Sequence, residues 1–150
     1  MPKILATNRQ ARHDYSILDT FEAGIKLTGA EVKSCKKGQI KLQGSYAEVK
    51  PNGEAQISGC HISPYKPAYS AQEKYLPTRP RILLLQKREI NTLFGKLKEK
   101  RLSLIPLSFY DKGGLIKVEL ALAQGKKKYE KRDAIKKRDI ERDAGRHFRR

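Results

Sequence analysis

Hydrophobic and polar residues alternate along several short stretches of the chain, which is the pattern of half-buried β-strands. The first stretch runs from Phe21 to Thr28, where Phe21, Ala23, Ile25 and Leu27 share one face. Further alternating or apolar stretches cover residues 45–50, 55–62, 82–85, 102–110 and 115–122. The connections 51–54 and 111–114 contain the glycines that tight hairpin turns need. The pattern therefore predicts antiparallel strands, although residues 82–85 are also compatible with the entry to a helix.

Two other segments carry helical signals. Ile90, Leu93, Phe94 and Leu97 recur at the spacing of an amphipathic helix. Residues 29–38 are compatible with a short helix that ends at a glycine. Four prolines between residues 63 and 81 predict a loop, and residues 1–12 are basic and polar with little to bury.

These elements predict one mainly β domain with some α-helix. Five to seven short strands and two or three peripheral helices surround a modest core, and closure into a small barrel hides the edges of the sheet. We therefore expect an antiparallel OB-like barrel over residues 1–125, which would present a curved basic face to nucleic acid. Residues 126–150 are expected to form a basic tail, because only a thin apolar stripe of Ile140, Ala144 and Phe148 is available there.

The net charge of the chain limits the classes of partner that the protein is expected to bind. The chain has 150 residues, with 33 Lys and Arg against 16 Asp and Glu and a net charge of +17. A surface of this charge attracts polyanions, so nucleic acid, an anionic membrane and acidic proteins all remain possible, with nucleic acid favoured. The tail carries +7 of the total and is expected to be disordered when free and helical on a polyanionic partner.

The sequence also constrains the cellular location of the protein and the redox state of its two cysteines. No apolar run approaches the roughly 20 residues of a membrane span, and the first residues have no signal-peptide pattern, so a cytoplasmic protein without membrane contact is expected. The two cysteines, Cys35 and Cys60, form no CxxC pair, and we interpret them as reduced and structural.

No arrangement of residues predicts catalysis. The histidines His13, His61 and His147 have no metal-ligand spacing, and phosphate-binding and nucleophile motifs are missing from the sequence. Glu22 and Glu31 are more simply interpreted as carboxylates on a solvated strand face or helix end. We therefore expect no enzyme activity, no metal and no cofactor.

Three basic segments are candidate nucleic-acid contacts. Residues 8–15 mix cations with two planar rings, which suits phosphate contact and base stacking, but a frayed terminus has the same composition. Arg79, Arg81, Lys87 and Arg88 flank an apolar run, which is also the pattern of a core strand with solvated ends. Residues 125–132 place one tyrosine inside a cationic cluster, although such a cluster is often only a solubilising tail.

A series of motifs occurs in the order and with the spacing of a known family. The motifs are Asn8-Arg9 through His13-Asp14-Tyr15, Glu22-Ala23-Gly24-Ile25, Gly29-Ala30-Glu31-Val32-Lys33-Ser34, Pro64-Tyr65, Pro77-Thr78-Arg79-Pro80-Arg81 with Leu83-Leu84-Leu85, Lys87-Arg88-Glu89-Ile90, Ile105-Pro106-Leu107 and Gly125-Lys126-Lys127-Lys128-Tyr129-Glu130-Lys131-Arg132. The chain resembles the SsrA-binding proteins, the small protein B family, over roughly residues 7–140.

The resemblance implies an OB-like barrel that binds the tRNA-like domain of transfer-messenger RNA (SsrA RNA). It also implies delivery of that RNA to stalled 70S ribosomes, where the tail occupies the vacant messenger channel and the 16S ribosomal RNA decoding centre. The implied RNA-binding residues are Asn8, Arg9, Arg12, Glu22, Lys33, Arg79, Arg81, Leu84 and Lys87. The implied decoding-site residues are His13, Tyr46, Lys126, Lys127, Lys128, Tyr129, Glu130, Lys131 and Arg132. We expect a monomer.

The chain departs from the family pattern at a few positions. Glu130 replaces an aspartate of the tail motif and conserves the charge, whereas Ile82 replaces a lysine that could face RNA. Gln86 and Leu76 replace a frequent histidine and a frequent aspartate. Two other functions remain open: a structural ribosomal protein or general single-strand binder on the same barrel, and an RNA-cleaving or RNA-modifying enzyme.

Overall fold

The computed structural model describes residues 2–65, 75–99 and 102–126. Their elements, in chain order, are β1 (Lys3–Thr7), α1 (Arg9–Asp14), β2 (Tyr15–Ile25), α2 (Gly29–Lys36), β3 (Ile40–Lys41), β4 (Tyr46–Val49), β5 (Ala55–Ser58), β6 (His61–Ile62), β7 (Arg81–Leu84), α3 (Lys87–Glu99), β8 (Ser103–Lys112) and β9 (Leu115–Gly125). The predicted loop at 63–81 is described only in part, and the predicted tail lies outside the described residues beyond Lys126.

Seven of the strands form one antiparallel sheet that closes on itself. Their order is β1-β8-β4-β5-β7-β2-β9, and a further pairing between β8 and β9 joins the two sides. Six strands thus form a ring, because β4 and β1 follow one another along the same edge of β8. The closed ring leaves few free strand edges, which is the advantage of a barrel for a small domain. The expected OB-like antiparallel barrel is confirmed.

Side chains from every strand of the ring fill its interior. Ala23, Ile57, Leu83, Leu104 and Val118 are among the most buried of these residues. A second, smaller apolar cluster lies outside the ring, where α1 packs Ala11 against Ile105, Leu107, Ala121 and Ala123. The long strands β8 and β9 therefore bury both faces, with the core on one side and α1 on the other.

Most of the predicted elements are confirmed, with shifted ends. Helix α3 buries Leu93 and packs Leu97 against the core, as the helical spacing predicted. The hairpin of β8 and β9 turns at Gly113 and Gly114, which both have positive φ. Residues 82–85, left open between strand and helix, contribute to β7.

The N-terminal segment differs from its prediction. Residues 1–12 were expected to bury little, but β1 pairs with β8 and Leu5 packs against the core. Ala11, in α1, is also buried. Ile4 is exposed while Leu5 packs inward, so the amino-acid composition of the segment does not reveal its pairing with β8.

Candidate nucleic-acid interface

The outer face of β2 carries an ordered acidic group. The Tyr110 hydroxyl donates to Glu22 Oε2 at 2.5 Å, and the Lys112 ammonium lies 3.3 Å from both carboxylate oxygens. The hydrogen bond from Tyr110 is the main cause that lowers the pKa of Glu22, and Lys112 and Lys117 add to the effect. Glu22 is therefore ionised at neutral pH, while its side chain stays 43% exposed.

An apolar side chain lies close to this carboxylate. Leu84 on β7 is in register with Gly24 on β2, and its side chain is 50% exposed. A Cβ on Gly24 would lie 3.3 Å from Leu84 Cβ, so the glycine makes room for the leucine. Because side chains alternate along a strand, Glu22 and Gly24 share the outer face. The structure thus brings the predicted residues Glu22 and Leu84 onto one surface.

The predicted cation Arg81 lies inside the protein. Its guanidinium donates twice to Glu31 Oε2, at 2.8 and 2.6 Å, and also to the Cys60 and Pro77 carbonyl oxygens at 2.6 and 2.9 Å. The side chain is 0% exposed and that of Glu31 is 1% exposed. This position argues against the direct RNA contact that the sequence predicted for Arg81.

The Glu31 carboxylate joins three segments of the chain. It accepts from the Thr28 backbone N–H in a capping box that begins α2. It also accepts hydrogen bonds from Arg79 and from the Tyr75 hydroxyl, the latter at 2.9 Å. Helix α2, strand β7 and the residues before β7 are therefore held by one carboxylate. Arg79 remains partly exposed beside this buried network.

Acid should weaken this network. Burial alone would raise the pKa of Glu31, but hydrogen bonds from Arg79, the Thr28 N–H and Arg81 outweigh it and the pKa is lowered from its ordinary 4.5. A lowered folded-state pKa adds stability above pH 4.5 that is lost as pH falls through the folded value. We expect urea-unfolding free energies to decline below pH 4.5. A Glu31→Gln variant should be less stable at neutral pH and should lose less on acidification, whereas an equal acid loss in both proteins would contradict this assignment.

The predicted basic segment 8–15 contains α1. Asn8 caps this helix: its Oδ1 accepts from the Ala11 N–H, and its Nδ2 donates to the Pro106 carbonyl at 3.0 Å. The buried Asn8 side chain thus fixes the helix to β8. Arg9 and Arg12 are exposed, and His13 is half-buried. Two of the predicted cations on α1 are therefore available at the surface, while Asn8 positions them.

A cleft lies between α1, β4 and the end of α3. It has a volume of about 490 Å³ and is lined by Asp14, Tyr46, Glu48 and Leu97, among others. Tyr46 is 52% exposed at this cleft. The Lys126 backbone N–H donates to the Asp14 carbonyl at 2.9 Å, so the base of the predicted tail lies beside the same helix. His13, Tyr46 and Lys126 are thus near one end of the barrel, and residues 127–132 lie outside the described part.

The remaining predicted cations lie on helices. Lys33 on α2 and Lys37, which follows the end of that helix, place their ammonium groups 5.4 and 5.0 Å from the ring centroid of Tyr65, which is cation–π distance. Lys87 is exposed at the start of α3. Among the positions that depart from the family pattern, Gln86 accepts from Arg88 Nε at 3.0 Å and Leu76 is exposed.

The two cysteine thiols lie in the interior of the protein. Cys35 and Cys60 are both free and buried, which confirms their structural interpretation. Burial raises the pKa of each thiol to about 12, so both stay protonated at neutral pH. Within the described ranges, no group of three or more potential ligands could hold a metal ion. In the same part of the chain, no helix is long and apolar enough to cross a membrane.

Strand β2 separates the two sets of candidate residues. Tyr15 pairs with Gly125 at the tail end of the barrel, and Glu22 follows seven residues later. At the rise of a β-strand this separation is about 23 Å. The Glu22–Leu84 surface and the base of the tail therefore lie toward different ends of β2.

Comparison with known proteins identifies the family of the chain. The family model described as SmpB protein matches residues 5–150. The chain belongs to the SmpB family. Among its relatives are the SsrA-binding proteins of Sulfurihydrogenibium sp. (strain YO3AOP1), 51% identical, and of Persephonella marina, 50% identical. Each alignment covers 97% of this chain and 94% of the relative.

A solved structure of the SmpB family also has this fold. It is described as "tmRNA-SmpB: a journey to the center of the bacterial ribosome", and one of its chains is 41% identical, with a TM-score of 0.65. The match covers 87% of this chain and 93% of that chain. The identity and the similarity in fold extend the family assignment from the sequence to the three-dimensional structure.

Sequence reasoning missed the network around Glu31. Glu31 was interpreted as a carboxylate at a helix end, and Tyr75 was given no role. The Thr28–Glu31 spacing of a capping box was available as a signal for the helix start. Nothing in the sequence, however, indicates that the same carboxylate meets Arg81, 50 residues further along.

Proposed function

We propose that this protein binds the tRNA-like domain of transfer-messenger RNA and delivers it to stalled 70S ribosomes. There the nascent peptide is tagged by trans-translation, and the tail enters the vacant messenger channel and the 16S ribosomal RNA decoding centre. The protein is an adaptor without catalysis, metal or cofactor, and acts as a monomer in the cytoplasm.

The observation that carries this proposal is the extent of the family match. It covers both the barrel and the segment beyond it, from residue 5 to residue 150. The geometry supports a division of roles, because the Glu22–Leu84 surface and the base of the tail lie about 23 Å apart along β2. A protein that joins an RNA to a ribosome needs two such surfaces.

The residues are assigned to these roles by the family motifs, and the burial of Asn8 and Arg81 changes the role proposed for those two. Those proposed to contact transfer-messenger RNA directly are Arg9, Arg12, Glu22, Lys33, Arg79, Leu84 and Lys87. Asn8 and Arg81 are proposed to act from the interior, by fixing α1 and the residues before β7. Residues proposed to face the decoding centre are His13, Tyr46, Lys126, Lys127, Lys128, Tyr129, Glu130, Lys131 and Arg132.

The most direct test is to isolate the protein from a bacterial lysate and sequence the RNA that accompanies it. Strong enrichment of transfer-messenger RNA is expected. A broad mixture of RNA would instead favour a general single-strand binder, and permanent co-sedimentation with one ribosomal subunit would favour a structural ribosomal protein. RNA turnover by the purified protein would contradict the proposed absence of catalysis.

Salt should weaken the complex with the tRNA-like domain steeply. Each phosphate contact releases condensed counterions, so the logarithm of the affinity should fall linearly with the logarithm of salt concentration. Replacing the exposed Arg12 with glutamine should flatten this slope by about one unit. Lys41→Gln, which removes an exposed cation on β3 outside the candidate contacts, is the matched control. An unchanged slope for Arg12→Gln would remove Arg12 from the interface.

A further inference from the structure

We infer that Glu22 recognises an unpaired base of the bound RNA, with guanine preferred, and that Tyr110 positions its carboxylate for this contact. The inference rests on the proposed function, since it names what one part of the RNA-binding surface recognises. It assigns a role to Tyr110 and Lys112, which the motif comparison did not single out.

The charge of Glu22 excludes a contact with the phosphate backbone. The protein has a net charge of +17, yet this exposed carboxylate is ionised. An anion on an RNA-binding surface repels phosphates, so its presence weakens non-specific binding. It can still contribute favourably where RNA offers hydrogen-bond donors, and these lie on base edges and ribose hydroxyls.

The geometry leaves acceptor positions open on Glu22. An ionised carboxylate has about four lone-pair sites. Tyr110 occupies one on Oε2, and Lys112 lies at the longer distance of 3.3 Å from both oxygens. The side chain remains 43% exposed, so both oxygens can still accept from a ligand. These contacts restrict the rotation of the carboxylate before RNA arrives, which reduces the entropy lost on binding.

The neighbouring side chain offers a surface for the flat part of a base. Leu84 is exposed on the next strand and is in register with Gly24, two residues from Glu22. Proteins that read single-stranded RNA combine a surface for the flat face of a base, usually an aromatic ring, with hydrogen-bonding groups for its edge. Leu84 would provide an apolar surface in the place of such a ring. The structure therefore places both kinds of contact within one small area.

Guanine fits this acceptor better than the other bases. Its Watson–Crick edge has two adjacent donors, N1–H and the N2 amino group, which can reach the two oxygens of one carboxylate. Cytosine and adenine each offer one amino group on this edge, and the edge of uracil offers one imino donor between two carbonyl oxygens. A bidentate contact of this kind discriminates by roughly tenfold or more.

A charge-removing substitution separates this inference from simple electrostatics. Glu22→Gln keeps the shape but removes the anion, so relief of repulsion alone would tighten binding to the tRNA-like domain. We instead expect about tenfold weaker binding, with no flattening of the salt dependence. Glu48→Gln, which removes the same charge on β4, is the control and should bind at least as tightly as the unchanged protein. Equal or tighter binding by Glu22→Gln would overturn the inference.

Base recognition is tested by atomic substitution in the RNA. Each loop guanosine of the tRNA-like domain is replaced in turn by inosine, which lacks the N2 amino group. One position should weaken binding of the unchanged protein, and this loss should vanish with Glu22→Gln. If no position is coupled to Glu22, the inference is wrong while the proposed function stands. If the unchanged protein does not bind the domain at all, both are wrong.

The positioning role of Tyr110 has its own readout. Tyr110→Phe removes one hydroxyl from an exposed site and should weaken binding by about threefold, which is a typical loss for one hydrogen bond. In the double variant with Glu22→Gln, no further loss is expected, because both changes act on one contact. Additive losses, or an inosine effect unchanged by Tyr110→Phe, would contradict this role.

Discussion

Replacing Arg81 with methionine is expected to lower the free energy of unfolding by about 3–5 kcal/mol. The substitution keeps much of the volume but removes the fully buried guanidinium that donates twice to Glu31, so the buried carboxylate is left with the partly exposed Arg79 as its ion-pair partner. It also leaves the Cys60 and Pro77 carbonyl oxygens without the donors that they have in the structure. Removing one partner of a buried ion pair is among the most destabilising changes in a small domain, and this loss would be a large fraction of its stability. Urea unfolding at neutral pH measures it.

Arg88 supplies the matched control for this experiment. It is an exposed arginine at the start of α3, and Arg88→Met should change stability by less than about 0.5 kcal/mol. A double variant that also replaces Glu31 with glutamine should be more stable than the sum of the two single losses predicts, because the second change removes the buried anion that has lost its Arg81 partner. Full additivity, or an Arg81→Met loss as small as that of Arg88→Met, would show that the pair does not stabilise the fold.

Ending the chain after Gly125 is expected to abolish ribosome rescue while the tRNA-like domain still binds. The removed residues, 126–150, carry 12 basic and 5 acidic side chains. The proposed RNA-contacting residues all lie before Gly125, and Glu22 and Leu84 are on the barrel surface away from the base of the tail. Peptide tagging in a reconstituted translation system should therefore fall to background. Binding to the isolated domain should lose at most the non-specific contribution of the tail's charge.

A control for charge alone keeps the composition of residues 126–150 and scrambles their order. This variant retains the net charge of +7 and should bind RNA as the full chain does. It should still fail in tagging, because the proposed decoding-centre contacts depend on particular residues such as Tyr129 and Arg132. Normal tagging by the truncated protein would show that the tail is not required, and normal tagging by the scrambled protein would reduce its role to charge.

The local elements were predictable because their signals are local. Alternation over Phe21–Leu27 and 115–122 and helical spacing from Ile90 to Leu97 depend only on which residues share a face. The N-terminal segment was not predictable in this way, since β1 is defined by its pairing with β8, about 100 residues away in the chain. Pairing at that distance leaves no periodic signal in the polar segment itself.

The site was predictable to a similar extent. The sequence indicated a basic RNA-binding surface and pointed to Glu22 and Leu84 by family motif, but it could not distinguish exposed cations from buried ones. Arg79 and Arg81 are two residues apart in one motif, yet one is partly exposed and the other is fully buried. Alternation within β7 turns Arg81 inward on the face of Leu83, where the position of α2 supplies a carboxylate, whereas Arg79 precedes the strand.

The sequence by itself determined the character of the protein: a basic antiparallel barrel of the SmpB family with a separate cationic segment at its end. Charge, periodicity and motif order are properties of the chain, and they need no knowledge of distant contacts. Only the tertiary structure decided which charges remain at the surface. Closure of the barrel pairs Arg81 with Glu31 in the interior and brings Tyr110 and Lys112 to Glu22 on the outside, because neighbours in a folded ring of strands are far apart in sequence.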